Sequence, residues 1–225
     1  MRKYIIVLCG VFLAVILAGC QSEGVKAKIS GYEITDFNGR PAIKVSVETN
    51  KFPLTIELLG PDRRTKDLNV VDSQKDLPAI LYLGLSRENV KQGTYYLLLK
   101  YGVSTLDEIE LTLQGSKFRL LDKKIEVEYS EDYDSYNLKE VSLKLENVGD
   151  CPGYVHWIEL SIDNGVPLAR VSNEYNVPIM PGEIKTYTAN FVFVSVKEPG
   201  EHSMIIKVAD SGLNVVEEFR TTFTI

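Results

Sequence analysis

The chain has 225 residues, 44% of them hydrophobic and 25% charged, which is the balance of one or two packed globular domains and excludes a disordered chain. A formal net charge of -6 leaves no basic excess for a phosphate backbone, so nucleic acid is not an expected partner. With 3 Cys and 2 His, neither a disulfide framework nor a His-rich metal centre has enough residues to build it.

The first element is a targeting segment. Arg2-Lys3 precedes the apolar run 4–17, which is shorter than the roughly 20 residues a membrane-spanning helix needs. The run ends in Leu17-Ala18-Gly19-Cys20, which resembles the lipobox of prokaryotic lipoproteins. The resemblance implies cleavage after residues 1–19, a diacylglycerol thioether on Cys20, and a protein held on the extracytoplasmic side of the cell membrane. One acyl chain binds a bilayer only marginally, so stable anchoring takes two or more. The excess of acid offers little attraction to an anionic surface, which leaves the anchoring to lipid. Residues 20–25 then form a short polar tether. Cys9 leaves with the signal and Cys20 is lipidated, so Cys151 stands alone, either as a reactive or intermolecular thiol or as an inert one.

From Lys26 the pattern has period two, the mark of half-buried antiparallel strands. Ile43, Val45 and Val47 alternate with Lys44, Ser46 and Glu48; Leu54, Ile56 and Leu58 with Thr55, Glu57 and Leu59; Ile109, Leu111 and Leu113 with Glu108, Glu110 and Thr112. Asn38-Gly39, Gly60-Pro61-Asp62 and Lys91-Gln92-Gly93 are the turns between. The more continuously apolar stretches 79–85 and 94–101 are expected to lie centrally, and 86–91 to form one helical turn capped by Ser86. Residues 26–114 make a first β-sandwich domain, and Gln114-Gly115-Ser116-Lys117 reads as the junction.

The series resumes with Ile125, Val127 and Tyr129, then Val141, Leu143 and Leu145, then Ile158, Leu160 and Ile162, and continues to Ile225; Asp163-Asn164-Gly165 is a tight-turn signal. Residues 93–100 can be laid on 200–207, which suggests two copies of one sandwich type. The expected fold class is therefore all-β: two tandem immunoglobulin-like β-sandwich domains after a signal peptide. The segments 141–149 (Val-Ser-Leu-Lys-Leu-Glu-Asn-Val-Gly) and 155–163, Met180-Pro181-Gly182-Glu183 and Pro199-Gly200-Glu201-His202 resemble CARDB-like, immunoglobulin-type modules of prokaryotic cell-surface proteins. That resemblance covers 117–225 and implies a fold more than a role, since the fold hosts many functions. His202 stands where such modules often carry Tyr.

Signatures of catalysis are missing: there is no Gly-x-Ser-x-Gly elbow, phosphate-binding Gly loop, His-Glu-x-x-His or Cys-x-x-Cys. His156 and His202 fall on different strands, and Cys151 with His156 is not a familiar ligand spacing. Glu131, Asp132 and Asp134 can be read as oxygen donors to a structural Ca²⁺ or as a solvated loop; no Gly at the sixth position and Leu143 at the twelfth depart from an EF-hand. Trp157 faces away from Ile158, Leu160 and Ile162, as a ligand-contact residue or as packing.

These residues point to a lipid-anchored, non-catalytic binding or adhesion module for another envelope protein. Alternatives are a carbohydrate or cell-wall polymer binder using Trp157 and exposed Tyr, and an accessory subunit of an envelope transporter or enzyme. Cys20→Ser should release the protein from the membrane fraction, checked by fractionation and blotting; a variant that stays bound would refute the lipid assignment.

Overall fold

The structure, a computed structural model, describes residues 24–163, 169–172, 177–191 and 194–225. Strands β1 (Ala27–Asp36), β2 (Pro41–Thr49) and β5 (Ala79–Tyr82) form one sheet, and β3 (Leu54–Leu59), β4 (Thr65–Val71), β6 (Gly93–Tyr101) and β7 (Ser104–Leu113) a second in the order β4-β3-β6-β7. Their inward residues close a core of Ile43, Val45, Ile56, Leu58, Leu81, Leu97 and Leu99, all shielded from water. The architecture then repeats. β8 (Phe118–Ser130), β9 (Ser135–Asn147), β12 (Ile184–Asn190) and β13 (Ser195–Val196) form one sheet; β11 (Ala169–Ser172), β10 (Trp157–Ile162), β14 (Glu201–Ala209) and β15 (Val215–Thr224) form the other in the order β11-β10-β14-β15. Leu143, Leu145, Ile158, Leu160 and Ile206 fill the second core. Both halves are immunoglobulin-like sandwiches, and β6 and β14, which carry the similar segments 93–100 and 200–207, hold the same place in their sheets.

Two local readings need correction. Residues 86–91 form a turn and extended chain, not a helical turn: Arg87 has φ +58°, which breaks a right-handed helix, and its backbone groups are bonded to Gly39 and Ser211. The short 3-10 turn lies earlier, at Gln74–Asp76, where Asp76 accepts hydrogen bonds from the Ser73 N–H and hydroxyl. Residues 79–85 are not central either, because β5 is the edge of its sheet. Their apolar run arises because β4 side chains cover that edge as well, Asp67 accepting from the Tyr82 N–H at 2.7 Å and Asn69 donating to the Ile80 carbonyl at 3.2 Å. The run 94–101 does lie centrally, as β6 between β3 and β7.

The two sandwiches are locked together. Asn147, fully buried at the end of β9, donates through Nδ2 to the Cys151 and Ile179 carbonyls at 2.8 Å each and accepts from the Gly149 N–H, which folds 148–153 into a compact loop. That loop enters the first sandwich: Cys151 has no exposed surface and belongs to the first core. Asp150 accepts from the Gln114 and Gly115 N–H groups at 2.8 and 2.9 Å; the Ser116 hydroxyl donates to Pro152 O and accepts from the Val90 N–H. Asn89 pairs with the Tyr154 backbone through both amide atoms and donates its own N–H to Asp210, while the Tyr154 hydroxyl donates to Asp36. Backbones approach so closely that a Cβ on Gly115 would stand 2.3 Å from the Val90 carbonyl oxygen, at a φ of +75° that already favours glycine.

Burial, and secondarily the Asp150 carboxylate, push the Cys151 thiol far above its ordinary pKa, so it is protonated and unreactive at neutral pH. Thiol reagents should therefore modify Cys151 only as fast as the joint opens, and chemical denaturation should show one transition. Asn89→Ala, which leaves two backbone groups of Tyr154 unpaired, should cost about 2 kcal/mol in urea unfolding and accelerate Cys151 labelling. Rapid labelling of the folded parent chain would contradict this account.

Candidate interaction site

Where each candidate residue lands can now be stated. Cys20 and the signal lie outside the described residues, and among those no helix is long and apolar enough to cross a membrane. Trp157 opens β10 on the outward face, between the small residues Ser172 and Ala209, with its ring edge-on to His156 at 5.0 Å. It is half-buried, and its Nε1 is shielded from water without a hydrogen-bond partner among the described residues. Two residues on, Glu159 takes Arg170 at 2.5 Å and Lys207 at 3.6 Å, and these cations, Arg170 foremost, hold its carboxyl below the usual range. This face satisfies its own charges and offers little free polar chemistry.

Glu131, Asp132 and Asp134 sit in the β8–β9 turn at the end of the molecule farthest from the joint. Asp134, at φ +43°, accepts from the Tyr129 hydroxyl at 2.8 Å, which raises the Tyr129 pKa. Among the described residues no three His, Cys, Asp or Glu side chains gather to hold a metal ion. His156 and His202 lie at opposite ends of the second sandwich, and Cys151 is in the joint.

His202 performs a structural task that the spacing of residues did not disclose. Its Nδ1 meets Asp163 Oδ2 at 2.7 Å and its Nε2 the Glu198 carbonyl at 2.9 Å, with Phe223 packed at 5.5 Å. Asp163 also accepts from the Ser203 N–H at 3.0 Å. The clamp ties the end of β10 to the start of β14.

Sheet edges separate the two sandwiches more sharply than any cluster does. In the first, side chains bridge both open sides: Asp107 of β7 accepts from the Ile29 N–H of β1 at 2.8 Å, and Asp67 and Asn69 of β4 cap β5. In the second, Lys123 of β8 donates to Thr222 O of β15 at 2.6 Å and closes one side; β8 itself has two register shifts and many charges. On the opposite side β11 of the facing sheet lies beside β12, and no side-chain hydrogen bond joins the two strands among the described residues. β12 pairs with β9 over Ile184–Asn190 without a register shift, carries Lys185 as its one charge, and has no strand paired to its outer side among the described residues. Glu183 O and Phe191 N–H bond inward to β9. By the alternation of a strand, the backbone groups of Thr186 and Thr188 therefore point outward. Edges are normally blunted by charge, bulges or cover; β12 has one lysine, no bulge, and β11 beside it. Beyond its end, Tyr133, Asn137, Asn190, Phe191, Ser195 and Lys197 surround an open cavity of about 850 Å³.

No family model matches the chain, and no curated protein does. Among solved structures it is similar to the BSP domain of a biofilm associated protein, with 14% identity over 89% of this chain and 29% of that chain, at a TM-score of 0.27. It is also similar to the fibronectin(III)-like modules of Clostridium thermocellum CbhA, with 10% identity over 89% and 94% of the two chains, at 0.26. The chicken interferon gamma receptor alpha chain gives 10% identity over 88% and 97%, at 0.27. Overlaps this low say nothing about function.

The His202 clamp has a pH signature. Asp163, first by its hydrogen bond, raises the His202 pKa, and His202 in the same way lowers that of Asp163. A raised histidine pKa stabilises fully below the unfolded value and is lost as pH rises through the folded one; a depressed carboxylate contributes above its unfolded value and fades as pH falls through the folded one. The ion pair thus acts between those limits. Asp163→Asn should lower the melting temperature more at about pH 5 than at about pH 9. Equal losses at both, followed by circular dichroism, would remove the ion pair from the account.

Proposed function

We propose that the chain is a lipid-anchored, non-catalytic adaptor of the cell envelope that presents the β12 edge of its second sandwich to an extended segment of another envelope protein. The observation that carries this reading is the contrast in edges: side-chain hydrogen bonds bridge both sides of the first sandwich, whereas among the described residues none joins β11 to β12, which offers outward backbone groups, little charge and an unbroken register. The locked joint supports it, because a rigid pair of sandwiches holds the edge at a fixed distance from the anchor. Main-chain hydrogen bonds supply affinity in such strand addition, and the outward residues Ile184, Thr186 and Thr188 supply selection. Cys20 supplies attachment through its lipid. The open cavity beside Tyr133, which is 78% exposed, favours a second reading, binding of a cell-wall polymer by stacking a sugar on that ring.

Thr186→Pro separates these. Proline removes an outward N–H and is tolerated at an edge, so the melting temperature should stay nearly unchanged. Photo-crosslinking of the whole chain to native envelope should then lose its dominant protein adduct. Undiminished crosslinking by the Thr186→Pro variant would refute docking at β12, and recovery of glycan with no protein would favour the polymer reading and Tyr133.

A further inference from the structure

β12 stops at Asn190 and β13 starts at Ser195, and both pair with β9. Ser195 stands opposite Asn137, and Asn190 opposite Glu140. A register shift between β8 and β9 at Glu126 and Val127 breaks the alternation of β9, so Leu138 follows Val141 into the core and Asn137 turns outward. Asn190 turns outward too, because Tyr187 and Ala189 face the core. With Ser135, Ser195 and Tyr133 they surround the cavity of about 850 Å³, which the buried side chains of Leu138 and Phe191 also line. That volume is in the range of small-molecule sites, about 300 to 1,000 Å³.

The cavity differs from the joint in what its polar groups do. In the joint Asn89, Asn147 and Ser116 have their partners inside the protein. Around the cavity the side chains of Ser135, Asn137, Asn190 and Ser195 make no hydrogen bond among the described residues. Ser135 is only 3% exposed, and a hydroxyl buried without a partner costs free energy until a ligand meets it. Each asparagine brings an acceptor and two N–H donors to the same space. Charge narrows the ligand further. No carboxylate lines the cavity among the described residues, Lys139 is held by Glu128 at 2.8 Å, and Glu131, Asp132 and Asp134 stand in the adjoining turn. Among the described lining residues only Lys197 is left to attract a polyanion, against those carboxylates.

We propose that this cavity binds a neutral glycan, with one sugar ring stacked on Tyr133 and its hydroxyls bonded to Ser135, Asn137 and Asn190. The inference rests on the polymer reading given above and adds the chemical class of the ligand: uncharged, rich in hydroxyls, with an apolar C–H face. The exposed Tyr133 ring suits that face. The serine and the two asparagines read hydroxyls by direction rather than by charge, so binding persists in salt that screens ionic contacts.

The test is calorimetry on the whole chain with probes of equal length: cellotetraose, the N-acetylglucosamine tetramer and the galacturonate tetramer. A neutral probe should bind equally well at low and high salt, and the galacturonate tetramer should not bind. Asn137→Ala and Asn190→Ala should each weaken binding about tenfold, as the loss of a good hydrogen bond does. Tyr133→Ala should abolish it. Melting temperatures should hold in all three variants, because these side chains donate and accept nothing within the protein. Neutral-probe binding that Tyr133→Ala and Asn190→Ala leave unchanged overturns the cavity as the site. Galacturonate binding as tight as that of either neutral probe overturns the neutral class and leaves the polymer reading standing. No binding by any probe overturns both.

Discussion

The insertion of the 148–154 loop into the first sandwich is the constraint on which the rest of the molecule depends. Asn147 satisfies two buried carbonyls and one N–H of that loop, so its backbone can leave water without loss. Cys151 then fills the first core as a small apolar group, and Asp150, Ser116 and Asn89 pair the polar atoms around it. Little of this binding energy comes from charge attraction at the surface. It comes from burial with every nearby backbone donor engaged, which is why the arrangement is directional and stiff.

Stiffness gives meaning to what lies at the two ends. A flexible pair of sandwiches would average out any difference between them, but a locked pair keeps the start of β1 at one end and the acidic β8–β9 turn at the other. The same logic applies to the edges. Asp107 and Asp67 occupy outward N–H groups of β1 and β5 in the first sandwich, which makes those edges poor templates for an added strand, and no described carboxylate does the same for β12.

Strand periodicity was legible because each sheet has one wet and one dry face; Ile56 against Glu57 and Leu143 against Lys144 show it plainly. The run 79–85 misled because an edge strand covered by Asp67 and Asn69 is as dry as a central one, and sequence alternation does not record cover from another sheet. Residues 86–91 have helical composition, yet their backbone is committed to partners more than a hundred residues away, Asp210 and Ser211. Trp157 was placed on the correct face, but its half-burial and its edge-on contact with His156 follow from the fold and not from any local pattern. The roles of His202, Asn147 and Asn89 were invisible for the same reason: a single polar residue has no period, and its partner is fixed only by the fold. The open edge at β12 had a faint signal, seven residues rich in Thr with one charge.

Cys151 also changes what counts as a unit of this protein. Covalently the first sandwich ends after β7, but its packing ends some forty residues later, inside a loop that belongs to the second. A copy of the first sandwich transferred alone to another chain would carry a hole where that thiol sits, and would expose the unpaired backbone around Val90 and Ser116. Duplication, fusion or shuffling can therefore move the pair intact, whereas separating the halves breaks the buried hydrogen bonds that join them.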